Sequence, residues 1–355
     1  MNKKTLALFL STVFAFSMLT ACGSTEEVNV TIATEETVET VVEENHDGMY
    51  RSELTNEWID ESLKDQRPIA VLVDNELTAL DHYGMTQADI VYEMMNSTAN
   101  EEVTRFMALV KDYASITRFG SIRSARPTNF MIAPEYNAIL VHDGGPFYIN
   151  DYLYNPWVDN LNGGFARIEN GKAWEFTEYV TTGEIEERIE AANIDVEYNE
   201  HYQGPHWLFA DEKEPVDLTN ASGVMDCTLV DLPFPHNESM LEYDAETGKY
   251  YYSEYGAPHI DLENGGKQLS FTNVILQCAN VVELDENGYM QFNILLQKGS
   301  GYYITGGKAI PVTWEKGADT VPTRFYSRGQ EITLNTGKTY IGLVSTDRWD
   351  ELVLK

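Results

Sequence analysis

The chain has 355 residues, with 57 acidic against 24 basic side chains and a formal net charge of −33. That charge excludes sequence-independent nucleic-acid binding, which needs a basic footprint to displace counterions from phosphate. A hydrophobic content of 43% with 12% aromatics leaves room for about two domains and a sizeable core, and no glycine-rich phosphate loop or zinc-type Cys/His spacing occurs, so neither cofactor nor metal is expected.

Lys3 and Lys4 precede an apolar run, Leu6–Leu19, too short to span a bilayer comfortably and suited to a signal-peptide core. It ends in Leu19-Thr20-Ala21-Cys22, a tetrapeptide that closely resembles the bacterial lipoprotein box. The resemblance implies removal of residues 1–21 and lipidation of Cys22, which would tether the protein to a membrane through acyl chains. Residues 23–66 hold thirteen acidic side chains against Arg51 and Lys64 and read, with Cys22, as a solvated tether over 22–66.

The first globular region is expected at 67–215. Arg67–Asn75 (RPIAVLVDN) is an apolar run ending in polar residues, the pattern of a strand buried on both faces, which leaves Asp74 and Asn75 at its end. Thr86–Asp89 suits a brief helical turn, and Ile90–Met95 and Val103–Val110 read as strands. Period 2 puts Arg105 in an apolar row with Val103, Met107 and Leu109, and such a charge needs a partner. Glu93 is the candidate. It is read either as a cross-strand pair with Arg105 or as a general acid with a raised pKa.

Ser121–Arg126 (SIRSAR) carries Arg123 and Arg126 three residues apart, and Pro127 is placed to open a helix. A helix mouth beside two arginines favours anions. After a helical run over Asn129–Tyr136, Ala138–Val141 reads as a buried strand with His142-Asp143-Gly144-Gly145 at its C-terminal end. Ligands usually bind at that end in open α/β sheets.

Pro146–Tyr154 is aromatic-rich and reads as a helix or lid over the double glycine. Trp157, Phe165 and Trp174 are either sugar-stacking platforms or core. Thr182–Ala192 reads as a helix with an imperfect capping signal. His201 and His206 flank a Gly-Pro step, a weak metal-binding pattern. From Val224 to Lys355 short strands alternate with turn signals, among them Asp285-Glu286-Asn287-Gly288, which predicts a β meander. Arg324 is read either as reaching the arginine cluster or as holding a domain interface. Cys227 and Cys278 are either a disulfide or two small buried hydrophobes.

Six stretches carry a family resemblance: RPIAVLVDN, ADIVYE, VTRFMALV, GSIRSAR followed by a helix, YNAILVHDGG, and VPTRFYSRGQEITLNTGKTYIGLV. In this order, over about residues 67–350, they resemble the YerB-like bacterial lipoproteins, long catalogued as a domain of unknown function. The resemblance implies an α/β fold: a layered sheet-and-helix N-terminal domain and a smaller β-rich C-terminal domain, here 224–355. It also implies an extracytoplasmic address, and no established activity. One departure is visible. Where many relatives carry Pro-His-Asn after an aromatic-x-Arg segment, this chain has Phe165-Ala166-Arg167 and then Ala173-Trp174-Glu175-Phe176, so a mechanism using two histidines loses one of them.

Two functional expectations follow. In one, Arg105, Arg123, Arg126 and His142, with Asp74 and Asn75 at the strand end, bind an anionic envelope ligand of the peptidoglycan or teichoic-acid type. In the other, an envelope hydrolase or lyase uses Glu93, His142 or Asp143 as acid and base, with the arginines stabilising developing negative charge.

Overall fold

The computed structural model describes residues 45–355. The signal peptide at 1–21, Cys22 and the tether up to residue 44 lie outside the described residues. Residues 46–66, placed above in the tether, fold: Met49–Arg51 pairs antiparallel with Trp58–Asp60, and Ser52, Leu54 and Thr55 between them are buried. The turn between those strands presents apolar and hydroxyl side chains to the core, which the acidic average of the stretch conceals.

A mixed sheet carries the rest. The strands along its main path are, in chain order, β1 (Ile69–Asp74), β2 (Ile90–Met95), β3 (Thr104–Val110), β4 (Ile139–His142), β5 (Asn160–Asn162), β6 (Asn273–Glu283), β7 (Gln297–Thr305), β8 (Lys308–Lys316), β9 (Arg324–Ser327), β10 (Gln330–Glu331) and β11 (Thr339–Ser345), with the short strands Met225–Asp226 and Met290–Asn293 paired to β8 and β6 off that path. They lie in the order β10-β9-β8-β7-β6-β11-β2-β3-β1-β4-β5. The sheet therefore runs without a break across the point where two domains were drawn, because β11 adds in parallel to β2. Its middle strands are buried along their length, which is why they read as continuous apolar runs. A second, smaller sheet holds Leu229–Asp231, Met240–Asp244, Lys249–Glu254 and the C-terminal Val353–Leu354.

The layered α/β expectation for the N-terminal region is overturned. Among the described residues α1 (Pro127–Ile132), α2 (Asn150–Leu153) and α3 (Glu184–Ala192) are the α-helices, and the longest has nine residues, too little to form a layer. Most of the architecture is strand. The reason is visible in α1. Pro127 does open it, and Arg126 N–H donates to Asn129 Oδ1 at 2.7 Å. Pro134 then removes an N–H and the chain tightens into a 3-10 turn over Ala133–Tyr136, stopped by Asn137 in the left-handed region at φ 50°. No described helix is long and apolar enough to cross a membrane.

Candidate functional site

Strand pairing builds the site. Arg105 on β3 lies directly opposite Asp74 on β1, so both side chains leave the same face. The segment Ser121–Ala125 runs beside the end of β1, with Asp74 N–H donating to Ser121 O (3.0 Å) and Arg123 N–H to Leu72 O (2.9 Å). On its other side Asp143 N–H donates to Arg123 O (3.1 Å) and Ala125 N–H to Gly144 O (3.0 Å). Held from both sides, this stretch brings Arg123 and Arg126 to Arg105.

The three guanidinium groups and Asp74 line a cleft of about 800 Å³. Arg123 Nε pairs with Asp74, and its Nη2 reaches Glu175 Oε2 at 2.9 Å. Arg105 Nη1 donates to Ser124 O at 2.6 Å, and Arg126 Nη1 to Ala125 O at 2.9 Å. Neither Arg105 nor Arg126 forms an ion pair with a carboxylate among the described residues, and the Nε of each is buried without a partner. Arg126 instead stands over the Tyr289 ring, 4.7 Å from its centroid.

Burial, reinforced by Arg126 and Arg123, pushes the Arg105 pKa well below its ordinary value, with Asp74 acting the other way. Burial and Arg123 likewise lower Arg126, to about 10. For Arg123 burial opposes the charge, but Asp74 and Glu175 outweigh it and the net shift is upward. The inner cleft thus holds two guanidiniums that form no ion pair with a carboxylate among the described residues, with Asp74 offsetting their charge only in part. The rim is acidic: Glu76 accepts from His236 Nε2 at 3.0 Å, and Glu101 is exposed.

The other expected residues lie elsewhere. His142 is fully buried. Its Nδ1 is 2.8 Å from Gly144 O and its Nε2 3.3 Å from Asn160 Oδ1, and burial holds its pKa down. Asp143 turns toward Arg167, whose Nη2 lies 3.3 Å from Asp143 Oδ2 and 2.5 Å from Glu178 Oε2. Burial and Asp143 raise the Glu178 pKa to about 7. Asn75 is buried, and its Nδ2 donates to Thr104 Oγ1 at 2.9 Å.

Glu93 does not meet Arg105. It is fully buried and accepts from Thr104 Oγ1 (2.7 Å), Ser239 Oγ (2.7 Å) and Tyr340 OH (2.6 Å). Burial and nearby Glu254 raise its pKa to about 7, although those hydrogen bonds work against the rise. Beyond it the buried chain continues through Tyr252 to Glu254, His259 and His82, with Glu254 Oε1 2.7 Å from His259 Nδ1 and His259 Nε2 3.3 Å from His82 Nδ1.

Of the two histidines weighed for metal, His206 is buried with Nε2 2.8 Å from Glu135 Oε2, whereas His201 stacks edge-on to Trp157. Arg324 holds His206 O (2.6 Å) and Glu331 (2.9 Å), away from the cluster. Phe165 is core, and Trp174, 72% exposed, covers Arg167. Cys227 and Cys278 are free thiols. Among the cleft residues that sequence reasoning missed, Glu175 and Phe176 lie in the 3-10 turn Trp174–Phe176 and His236 and Tyr289 in short connections, with no local pattern of their own. Only their proximity in space marks them.

Two family signatures match the chain: the N-terminal domain of a protein of unknown function (DUF3048) over residues 54–195, and its C-terminal domain over 230–341. A Bacillus subtilis (strain 168) protein named "Putative lipoprotein YerB" is 25% identical over 306 residues, covering 83% of this chain and 86% of the relative. The crystal structure of YerB from Bacillus subtilis superposes with a TM-score of 0.71 at 22% identity, covering 86% of this chain and 99% of that one, which shows the shared fold. The chain belongs to the DUF3048 family, whose two domain models together span most of it.

Proposed function

We propose that this is a membrane-anchored lipoprotein, held at the outer face of the cytoplasmic membrane through Cys22, whose arginine cleft binds an anionic group of an envelope polymer. One observation carries this reading: Arg105 is buried and Arg126 half-buried beside it, with neither in an ion pair with a carboxylate among the described residues. Uncompensated buried charge is costly, and an incoming carboxylate or phosphate would relieve it through charge-assisted hydrogen bonds. Arginine suits either group because its planar fork grips two oxygens at once.

Peptidoglycan stems and teichoic phosphates are the anions at that address. The acidic rim favours a ligand whose anionic head is followed by neutral or cationic atoms. The alternative, a hydrolase or lyase working through Glu93, His142 or Asp143, has less support. Glu93 and His142 have no exposed surface, and none of the three lines the cleft.

The test is to sediment teichoic-acid-containing cell walls with the protein, with and without Arg126→Ala, and to run the supernatant by mass spectrometry. Co-sedimentation lost in the variant supports the binding reading. Release of wall fragments by the wild-type protein would overturn it in favour of an enzyme.

A further inference from the structure

A second group of basic side chains lines a separate pocket. Lys249 opens the strand Lys249–Glu254, Lys267 sits in a two-residue strand, and Lys338 ends the loop before β11. These three positions are far apart in sequence, yet they line one pocket of about 170 Å³ together with Thr86, Ser270 and Thr272. In a chain with 24 basic residues among 57 acidic ones, convergence of three lysines needs a cause. None of them forms an ion pair with a carboxylate among the described residues. Glu57 is the carboxylate in the lining, and it is exposed.

The pocket is built around Lys338. Its ammonium donates to Thr86 O, which fixes one of its three N–H groups and leaves two for a ligand. The loop that delivers it has Gly337 at φ +129°, packed so closely on Thr272 Oγ1 that a Cβ would collide. A side chain at 337 would push Lys338 and Thr272 apart. Burial lowers the Lys338 pKa and Lys249 adds to that, while Asp89 and Glu57 act in the opposite direction.

We propose that Lys249, Lys267 and Lys338 form a binding site for a compact oxyanion of the phosphate class. Size decides against larger ligands, because organic molecules of drug size need roughly 300 Å³ or more. Lysine decides between anions: three point charges on flexible stems surround a tetrahedral group, whereas flat carboxylates favour the arginine fork. The hydroxyls of Ser270 and Thr272 supply further donors. This site shares no lining residue with the arginine cleft and does not depend on the reading of that cleft.

The experiment is to titrate the full chain with inorganic phosphate and follow binding by phosphorus NMR line broadening. Parallel titrations use Arg126→Ala alone and combined with Lys338→Met or with the double variant Lys249→Gln/Lys267→Gln; acetate at equal ionic strength serves as the carboxylate comparison. In the Arg126→Ala background, which removes the phosphate that the arginine cleft itself would take, the two lysine variants are expected to weaken phosphate binding by roughly tenfold or more each, as loss of a charge-assisted contact implies, with acetate failing to compete. The double variant alters exposed side chains, so it remains informative should Lys338→Met fail to fold. Phosphate binding that, in the Arg126→Ala background, is absent, survives the double variant or is displaced equally well by acetate would each overturn the proposal.

Discussion

Glu93 and Arg105 leave opposite faces of the same strand pair. The register sets Glu93 opposite Phe106 and Met94 opposite Arg105, and because successive side chains alternate faces, the two charges cannot meet. Glu93 is turned into the polar core with Ser239 and Tyr340, and Arg105 into the cleft with Asp74 and Arg126. One residue of register separates a structural ion pair from an exposed basic cleft.

Glu93 should make stability fall as pH rises. Its folded pKa is about 7, above its unfolded value near 4.5, so between those values the folded state binds more protons and unfolding becomes easier with rising pH. The contribution is greatest below about pH 4.5, declines toward pH 7 and is level beyond. About 3 kcal/mol is at stake. Urea unfolding at pH 5 and pH 7.5 measures this difference. Glu93→Gln is expected to flatten it, and an unchanged difference would count against the assignment.

Glu135 should behave in the opposite sense. Burial would raise its pKa, but Lys316 Nζ at 2.8 Å and His206 outweigh burial and hold it near 2. Its stabilisation is therefore present above pH 4.5 and is lost as pH falls toward 2. Glu135→Ala strands the buried Lys316 ammonium and should cost about 3–5 kcal/mol at pH 7. Denaturant midpoints for Glu135→Ala and for Glu135→Ala/Lys316→Met give the check: the double variant should recover part of the loss.

In the cleft, Arg126→Ala and Arg123→Ala are expected to weaken ligand binding by about 1.5–3 kcal/mol each. Their effects on folding should differ. Arg126 hydrogen-bonds only Ala125 O and stacks on Tyr289, whereas Arg123 neutralises Asp74, so thermal melting should drop clearly more for Arg123→Ala. Equal melting losses would show that Arg126 is structural too.

Gly301→Ala should destabilise the large sheet. A Cβ there would meet the carbonyl of Leu276 on the neighbouring strand, and backbone cannot step aside as a flexible side chain does. A loss of about 1–3 kcal/mol is expected, read as a shift in denaturant midpoint with no change of slope.

Cys227 and Cys278 should both resist a thiol reagent in the native protein and both react after unfolding. Burial raises both thiols, Cys227 to about 12, which suppresses the reactive thiolate. Mass spectrometry of labelled protein counts them, and a native protein lacking two titratable thiols after unfolding would instead reveal a disulfide.

The sequence by itself determined the strands of the sheet centre, since runs such as IAVLVD and IVYEMM are apolar on both faces and admit few other placements. It also marked Arg105, Arg123 and Arg126, because charges flanking apolar runs stand out at once. Helix content was misjudged where short periodic stretches met prolines, as at Pro134. What only the tertiary structure decided is which way each charge points and what stands beside it. His142 and Asp143 are neighbours in sequence, yet one is sealed in the core and the other faces Arg167. Tyr289 and His236 reach the cleft from loops, and Lys249, Lys267 and Lys338 reach a common pocket from two strand ends and a loop, none of them marked by a local period. The physical reason is that periodicity reports burial of a single element, whereas a site is made where several elements end together, and that depends on register and long-range pairing.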